Sequence, residues 1–271
     1  MTGPFANFNP EANTYNGCNA LALGQSSKLA YAGAGKVLET LNQWGFAAAE
    51  FLDQGGTQGF IASNDKMLLI AFRGTEAEQL QDILTDINLA LTQGPVGKVH
   101  TGFARALERI WPEFENQFSR LYQGQPVWLT GHSLGAALAT LTTARLAFSS
   151  GEKVRIQGLY TYGSPRIGDD VFAQEFNRIC LGLTFRFRNH NDVVTRVPLP
   201  GVFQLRYRHV GKLCYFDANG YLRFKMTSWE QLWDRLGGRI KDLGKLGTDG
   251  MKDHAIDAYL EKLKRNQNVV P

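Results

Sequence analysis

Ser133 stands in Gly131-His132-Ser133-Leu134-Gly135, between a short apolar run at 127–130 and an alanine-rich stretch at 136–148. That context reads as strand, turn and helix, and a serine on so tight a turn projects its hydroxyl above the sheet. The backbone there is strained, which explains residues without side chains two positions before and two after. The helix that follows turns its positive N-terminus toward the hydroxyl. A serine hydroxyl attacks a carbonyl only if a base takes its proton, and the base needs a third group to fix its tautomer. On an elbow of this kind acid and base follow the serine in the chain, which leaves His190, His209 and His254.

His190 lies two residues from the best acid, Asp192, whereas acid and base normally come from different loops. His209 sits in an alternating, strand-like run, Arg206-Tyr207-Arg208-His209-Val210, where a structural role is expected. His254 precedes a short amphipathic helix at 256–263, a loop-to-helix junction late in the chain, and is taken as the base. Asp192 directly follows a strand, where side chains reach a site at the carboxyl ends of the strands. Asp169, Asp170 and Asp253 are weaker alternatives: the first two suit a helix cap, and Asp253 adjoins His254 too closely to face its ring.

The elements that must hold these groups alternate along the chain. Helix is predicted over 28–41, a hairpin of strands at 59–62 and 67–72 around Asn64-Asp65, and helix again over 103–121. Strands follow at 127–130, 157–162 and 183–188, with the alanine-rich helix after the first. Apolar strands separated by helices indicate an α/β fold with a central, mostly parallel sheet flanked by helices on both faces. Gly33-Ala34-Gly35-Lys36-Val37 fails as a phosphate loop, because Ala30 stands where glycine is needed and Val37 where serine or threonine is needed.

The chain's 271 residues, 44% hydrophobic and 20% charged, exclude disorder and supply one sizeable core, and without repeats or linkers the expectation is a single domain over 1–271. No apolar stretch approaches the roughly 20 residues that span a bilayer. Residues 1–10 have neither a basic nor a continuous apolar segment, so no secretory signal is predicted. The expected location is the cytoplasm, or the exterior by a signal-independent route or after signal removal. Cys18, Cys180 and Cys214 lack metal or redox spacing and read as three buried free thiols. Residues 1–135 carry 8 Lys and Arg against 12 Asp and Glu, and residues 136–271 carry 21 against 13. The basic half suits an anionic lipid or a fatty acid; its cations are too dispersed for a nucleic-acid module.

Six segments in order resemble the class 3 lipases, the fungal lipase-like branch of the α/β-hydrolases. They are Ala71-Phe72-Arg73-Gly74-Thr75, Val99-His100-Thr101-Gly102-Phe103, the Ser133 pentapeptide, Tyr162-Gly163-Ser164-Pro165-Arg166-Ile167-Gly168, Asn191-Asp192-Val193-Val194 with Val197-Pro198, and Asp253-His254. The resemblance implies an α/β-hydrolase fold and a catalytic triad of Ser133, Asp192 and His254. It also implies an oxyanion hole from the Leu134 and Thr75 backbone N–H groups, with the Thr75 hydroxyl a third donor. His100 is implied to be structural, and His132 is read as packing.

The resemblance places a lid at about 76–98, here with Leu80, Ile83, Leu84, Ile87, Leu89 and Leu91 but without the tryptophan of many such lids. A second apolar stripe, Trp229, Leu232, Trp233, Leu236, Ile240 and Leu243, recurs at helical spacing and suits a lipid surface or the core. The activity implied is hydrolysis of carboxylic esters through an acyl-enzyme, first as a triacylglycerol lipase at a lipid–water interface, with no cofactor or metal. The alternatives are a phospholipase A1, a feruloyl or other carboxylesterase, and a lipase-like binding protein with an idle triad. Oligomeric state is not written in the sequence.

Overall fold

Residues 68–72 and 127–132 are buried along their whole length, so they can only be central strands covered on both faces. A computed structural model of the chain describes residues 1–76, 90–149, 151, 153–198, 207–224 and 249–271. Strands β1 (Ala48–Gln54), β2 (Thr57–Ser63) and β3 (Leu68–Phe72) form an antiparallel meander. A small hairpin, β4 (Leu91–Gln93) with β5 (Lys98–His100), stands apart. Next come β6 (Val127–His132), β7 (Ile156–Tyr162), β8 (Thr184–Asn189), β9 (Lys212–Phe216) and β10 (Leu222–Arg223). Among the described residues the main sheet has the order β1-β2-β3-β6-β7-β8-β9-β10. From β3 to β9 its pairs are parallel, and β10 returns antiparallel.

Two cores follow from the period-two alternation of side chains. Leu68, Ile70, Phe72, Val127 and Leu129 join helices α3 (Thr101–Leu121), α4 (Leu134–Ala147) and α5 (Asp170–Cys180) on one face. Leu69, Ala71, Trp128, Tyr160 and Phe187 face α1 (Gly17–Leu29), α2 (Ala34–Gln43) and α7 (Ile256–Arg265). The predicted mostly parallel sheet, covered on both sides, is thus what forms.

Three local expectations are corrected. The helix predicted over 28–41 is two helices, because the chain turns at Tyr31 and Ala32 and α2 starts after an extended Gly33. Most of α1 was not predicted: Ala20, Leu23, Gly24, Ser26 and Ser27 are all buried, so it shows no polar face to read. The run 206–210 is not a strand in its described part, where Arg208 makes only an isolated bridge to Gly168. Of the thiols, Cys180 and Cys214 are buried and Cys18 is half-buried; all three are free. No helix among the described residues is long and apolar enough to cross a membrane. The predicted stripe at 229–243 and residues 77–89 of the predicted lid lie outside the described residues.

As expected, Asp169 caps α5, accepting the Phe172 N–H at 2.8 Å; it also accepts the Lys98 N–H of β5 at 3.2 Å. Asp169→Ala leaves both donors unpaired and is expected to cost about 1 to 2 kcal/mol. A urea titration checks this: the midpoint falls while the slope stays unchanged.

Candidate active site

Ser133 joins β6 to α4 with φ 57° and ψ −127°, a backbone region that side chains other than glycine enter only under strain. Sterics explain the flanking glycines. A Cβ on Gly131 would meet the Gly135 carbonyl at 2.2 Å, and one on Gly135 would meet the Phe72 carbonyl at 2.2 Å. The elbow is therefore pressed between its own helix and β3. Ser133 N–H donates to the Tyr162 carbonyl at 3.0 Å, while Oγ is buried without a hydrogen-bond partner. Leu134 opens α4, so its N–H has no intrahelical acceptor.

Asp192, fully buried just beyond β8, meets His254 at the end of α6 (Asp249–His254) across 62 residues of sequence. His254 Nδ1 lies 3.0 Å from both carboxylate oxygens. Oδ1 also accepts the Val194 N–H at 2.9 Å, and Oδ2 accepts the Tyr259 hydroxyl of α7 at 2.5 Å. Burial alone would raise the Asp192 pKa, but His254 and the Tyr259 hydroxyl outweigh it and hold the carboxyl below its ordinary value. An ionised Asp192 accepts the hydrogen bond that the His254 Nδ1–H donates, which leaves the Nε2 lone pair free for a hydroxyl proton. Nε2 is buried and makes no hydrogen bond among the described residues.

Gly163, just past β7, makes room for this pair: with φ +59°, its missing Cβ would lie 2.8 Å from the His254 ring and 2.9 Å from Asp192 Oδ2. The weaker acid candidates turn elsewhere. Asp253 accepts the Asn191 N–H at 3.0 Å and lies 3.4 Å from His190 Nδ1, while its own carbonyl accepts the Asn189 side-chain amide at 2.8 Å. Asp170 pairs with Arg208 at 2.5 Å. His209 Nε2 lies 2.9 Å from the Thr195 carbonyl and so steadies the acid loop, the structural role expected of it. His100 accepts the Gly102 and Phe103 N–H groups and caps α3.

Thr75 lies beyond the end of β3, in a loop held against the elbow. A Cβ on Gly74 would come within 2.5 Å of the His132 carbonyl and 3.0 Å of Ser133 Cβ. Thr75, Tyr31, His132, His254 and Ile256 line a half-open, mostly apolar cavity of about 210 Å³. Two polar roles escaped the sequence. Tyr259 is hidden in the apolar stripe of α7, and Tyr31 sits in a turn read as helix. His132, read as packing, in fact bonds at both nitrogens, to the Tyr31 hydroxyl at 2.8 Å and the His254 carbonyl at 2.7 Å.

A family model described as "Lipase (class 3)" matches residues 69–202. The chain is 29% identical over 250 residues to triacylglycerol lipase OBL1 of Arabidopsis thaliana, covering 71% of this chain and 48% of that protein. It is 34% identical over 158 residues to secreted mono- and diacylglycerol lipase 1 of Fusarium solani, covering 56% and 44%. The chain thus spans about half the length of the curated relatives it matches. Among solved structures it is similar to the Rhizomucor miehei lipase propeptide complex, with a TM-score of 0.58 at 24% identity over 75% of this chain and 70% of that one. A lipase from Rhizopus microsporus var. chinensis matches with a TM-score of 0.54 at 25% identity, over 74% and 76%.

Two predictions follow from the geometry. Gly163→Ala pushes the acid–base pair off its positions, and a displacement of about 1 Å is expected to slow fluorophosphonate modification of Ser133 about 100-fold. Far-ultraviolet circular dichroism should be unchanged. The second concerns pH. Burial, with the neighbouring His254, pushes the His132 pKa down to about 3, and burial with nearby arginines pushes His209 well below its ordinary value. From about pH 6.5 downward the unfolded chain therefore takes up protons that the folded chain refuses, so stability falls as pH falls. The depressed Asp192 acts in the same direction only at lower pH, near its own pKa. Calorimetry between pH 7 and 4 should show a falling Tm, with a shallower slope for His209→Asn.

Proposed function

We infer that this chain, which belongs to the class 3 lipase family and has the α/β-hydrolase fold, is a serine carboxylic ester hydrolase acting on acylglycerols. The observation that carries the reading is a strained Ser133 whose neighbour His132 bonds the His254 backbone, beside a buried Asp192–His254 pair whose Nε2 has no hydrogen-bond partner among the described residues. The relatives described above, a triacylglycerol lipase and a mono- and diacylglycerol lipase, support the substrate class. The reading treats 1–271 as one domain with a lid at 76–98.

In this mechanism His254 Nε2 removes the Ser133 proton as Oγ bonds to the ester carbonyl carbon, and Asp192 stabilises the imidazolium. The carbonyl oxygen becomes an oxyanion held by the Leu134 and Thr75 N–H groups and the Thr75 hydroxyl; one such donor is worth on the order of 100- to 1,000-fold in rate. The imidazolium then passes its proton to the leaving alcohol, and water repeats the sequence to free Ser133 and the fatty acid. The interfacial part of the reading, that a lid over 76–98 opens at ester aggregates, comes from the family resemblance.

Ser133→Ala is expected to lower hydrolysis of p-nitrophenyl esters on the order of 10,000-fold or more, with the fold retained. Folded wild-type protein inert toward both those esters and acylglycerol emulsions would sink the reading, as would an active alanine variant. The interfacial part fails separately if activity toward a short ester rises smoothly through its solubility limit.

A further inference from the structure

His132 occupies the position immediately before Ser133 and is fully buried. Its Nε2 lies 2.7 Å from the backbone carbonyl of His254 and its Nδ1 lies 2.8 Å from the Tyr31 hydroxyl. Its ring packs against the His254 ring, with centroids 4.5 Å apart and the planes tilted by 30°. A carbonyl only accepts, so Nε2 must carry the proton. Burial keeps the ring neutral, so Nδ1 holds a lone pair and accepts the Tyr31 O–H. The tautomer is therefore set from both ends. The same hydroxyl abuts the oxyanion loop, where the Gly74 amide lies beside it and a Gly74 Cβ would come within 2.3 Å.

We propose that Tyr31 and His132 form a brace that positions His254 against Ser133. The proposal rests on the reading of Ser133 as nucleophile and His254 as base. Asp192 holds the His254 ring at Nδ1 alone, and a ring held at one point still swings about that bond. The hydrogen bond from His132 supplies the second point, on the His254 backbone. Because His132 is joined to Ser133 by one peptide bond, the path from nucleophile to base is short: Ser133, His132, one hydrogen bond, His254. Tyr31 acts through His132 by holding its acceptor side. A neutral ring beneath His254 also adds no repulsion when His254 takes up the serine proton. A residue that merely filled this space would need no polar atoms, yet both nitrogens of His132 are used.

The test compares His132→Leu, His132→Gln, Tyr31→Phe and the Tyr31→Phe/His132→Leu double variant on a p-nitrophenyl ester, with Tm measured alongside. The leucine variant should lose about 10- to 100-fold in kcat with KM within about twofold. Glutamine, whose amide N–H reaches the His254 carbonyl, should recover most of that loss. The double variant should be no slower than His132→Leu alone, because Tyr31 acts through His132. A second readout needs no substrate: the His254 Nδ1–H proton signal, bridged to Asp192, should be sharp in wild type and broadened in His132→Leu and Tyr31→Phe. Unchanged kcat in His132→Leu, losses that multiply in the double variant, or an unchanged proton signal each overturn the brace. If the leucine variant does not fold, Tyr31→Phe decides by the same two readouts. If wild type hydrolyses no ester, the hydrolase reading falls and the proton signal alone decides the brace.

Discussion

A carboxylate with no exposure to water must be solvated by the protein, and the fold around Asp192 is arranged to do that. The compensation comes from three directions: the His254 ring, the Tyr259 hydroxyl and the Val194 N–H. Each belongs to a different piece of chain, and the distances close only because β8, the loop after it and the C-terminal helices meet at one edge of the sheet. The uncompensated alternative, a buried ion without partners, costs several kcal/mol. The buried carboxylate therefore depends on the His254 imidazole beside it.

The parallel run from β3 to β9 makes that meeting possible. Parallel strands deliver all their carboxyl ends to one side, so Thr75 after β3, Ser133 after β6, Gly163 after β7 and Asp192 after β8 arrive together. The crowding then shows in the glycines. Gly74, Gly131, Gly135 and Gly163 each stand where a Cβ would meet backbone or reacting side chain at less than 3 Å. The site is built by removing side chains as much as by placing them.

That division explains what the sequence disclosed. The strained turn at Ser133 was legible because strain forces glycines around it, and the pairing of Asp192 with His254 because chain order and loop placement leave few rivals. The strands β2, β3, β6, β7 and β8 were legible from their apolar runs, whereas the short hairpin of β4 and β5 was not predicted. Helix α1 was not, since polar Asn19, Ser26 and Ser27 are buried among its apolar residues and blur its period, and β1 was not, since Ala48, Glu50 and Asp53 on a half-exposed edge carry little β signal. Tyr259 and Tyr31 stayed hidden for a related reason. An aromatic in an apolar pattern reads as core, and only the three-dimensional partner shows whether its hydroxyl has a task.

The histidines show how one residue type is sorted into several roles by its surroundings. His132 and His209 face backbone carbonyls and are kept neutral by burial, which suits a hydrogen-bond donor in a scaffold and disqualifies a proton acceptor that must become cationic. His100 uses its ring as a helix cap. His190 has a carboxylate neighbour in Asp253, but that pair faces the Asn189–Asn191 turn and not the elbow. His254 combines a carboxylate on one nitrogen, an unengaged second nitrogen and a place on the wall of the cavity beside Thr75. Each condition alone recurs elsewhere in the chain; their coincidence at residue 254 is what the proposed role of base rests on.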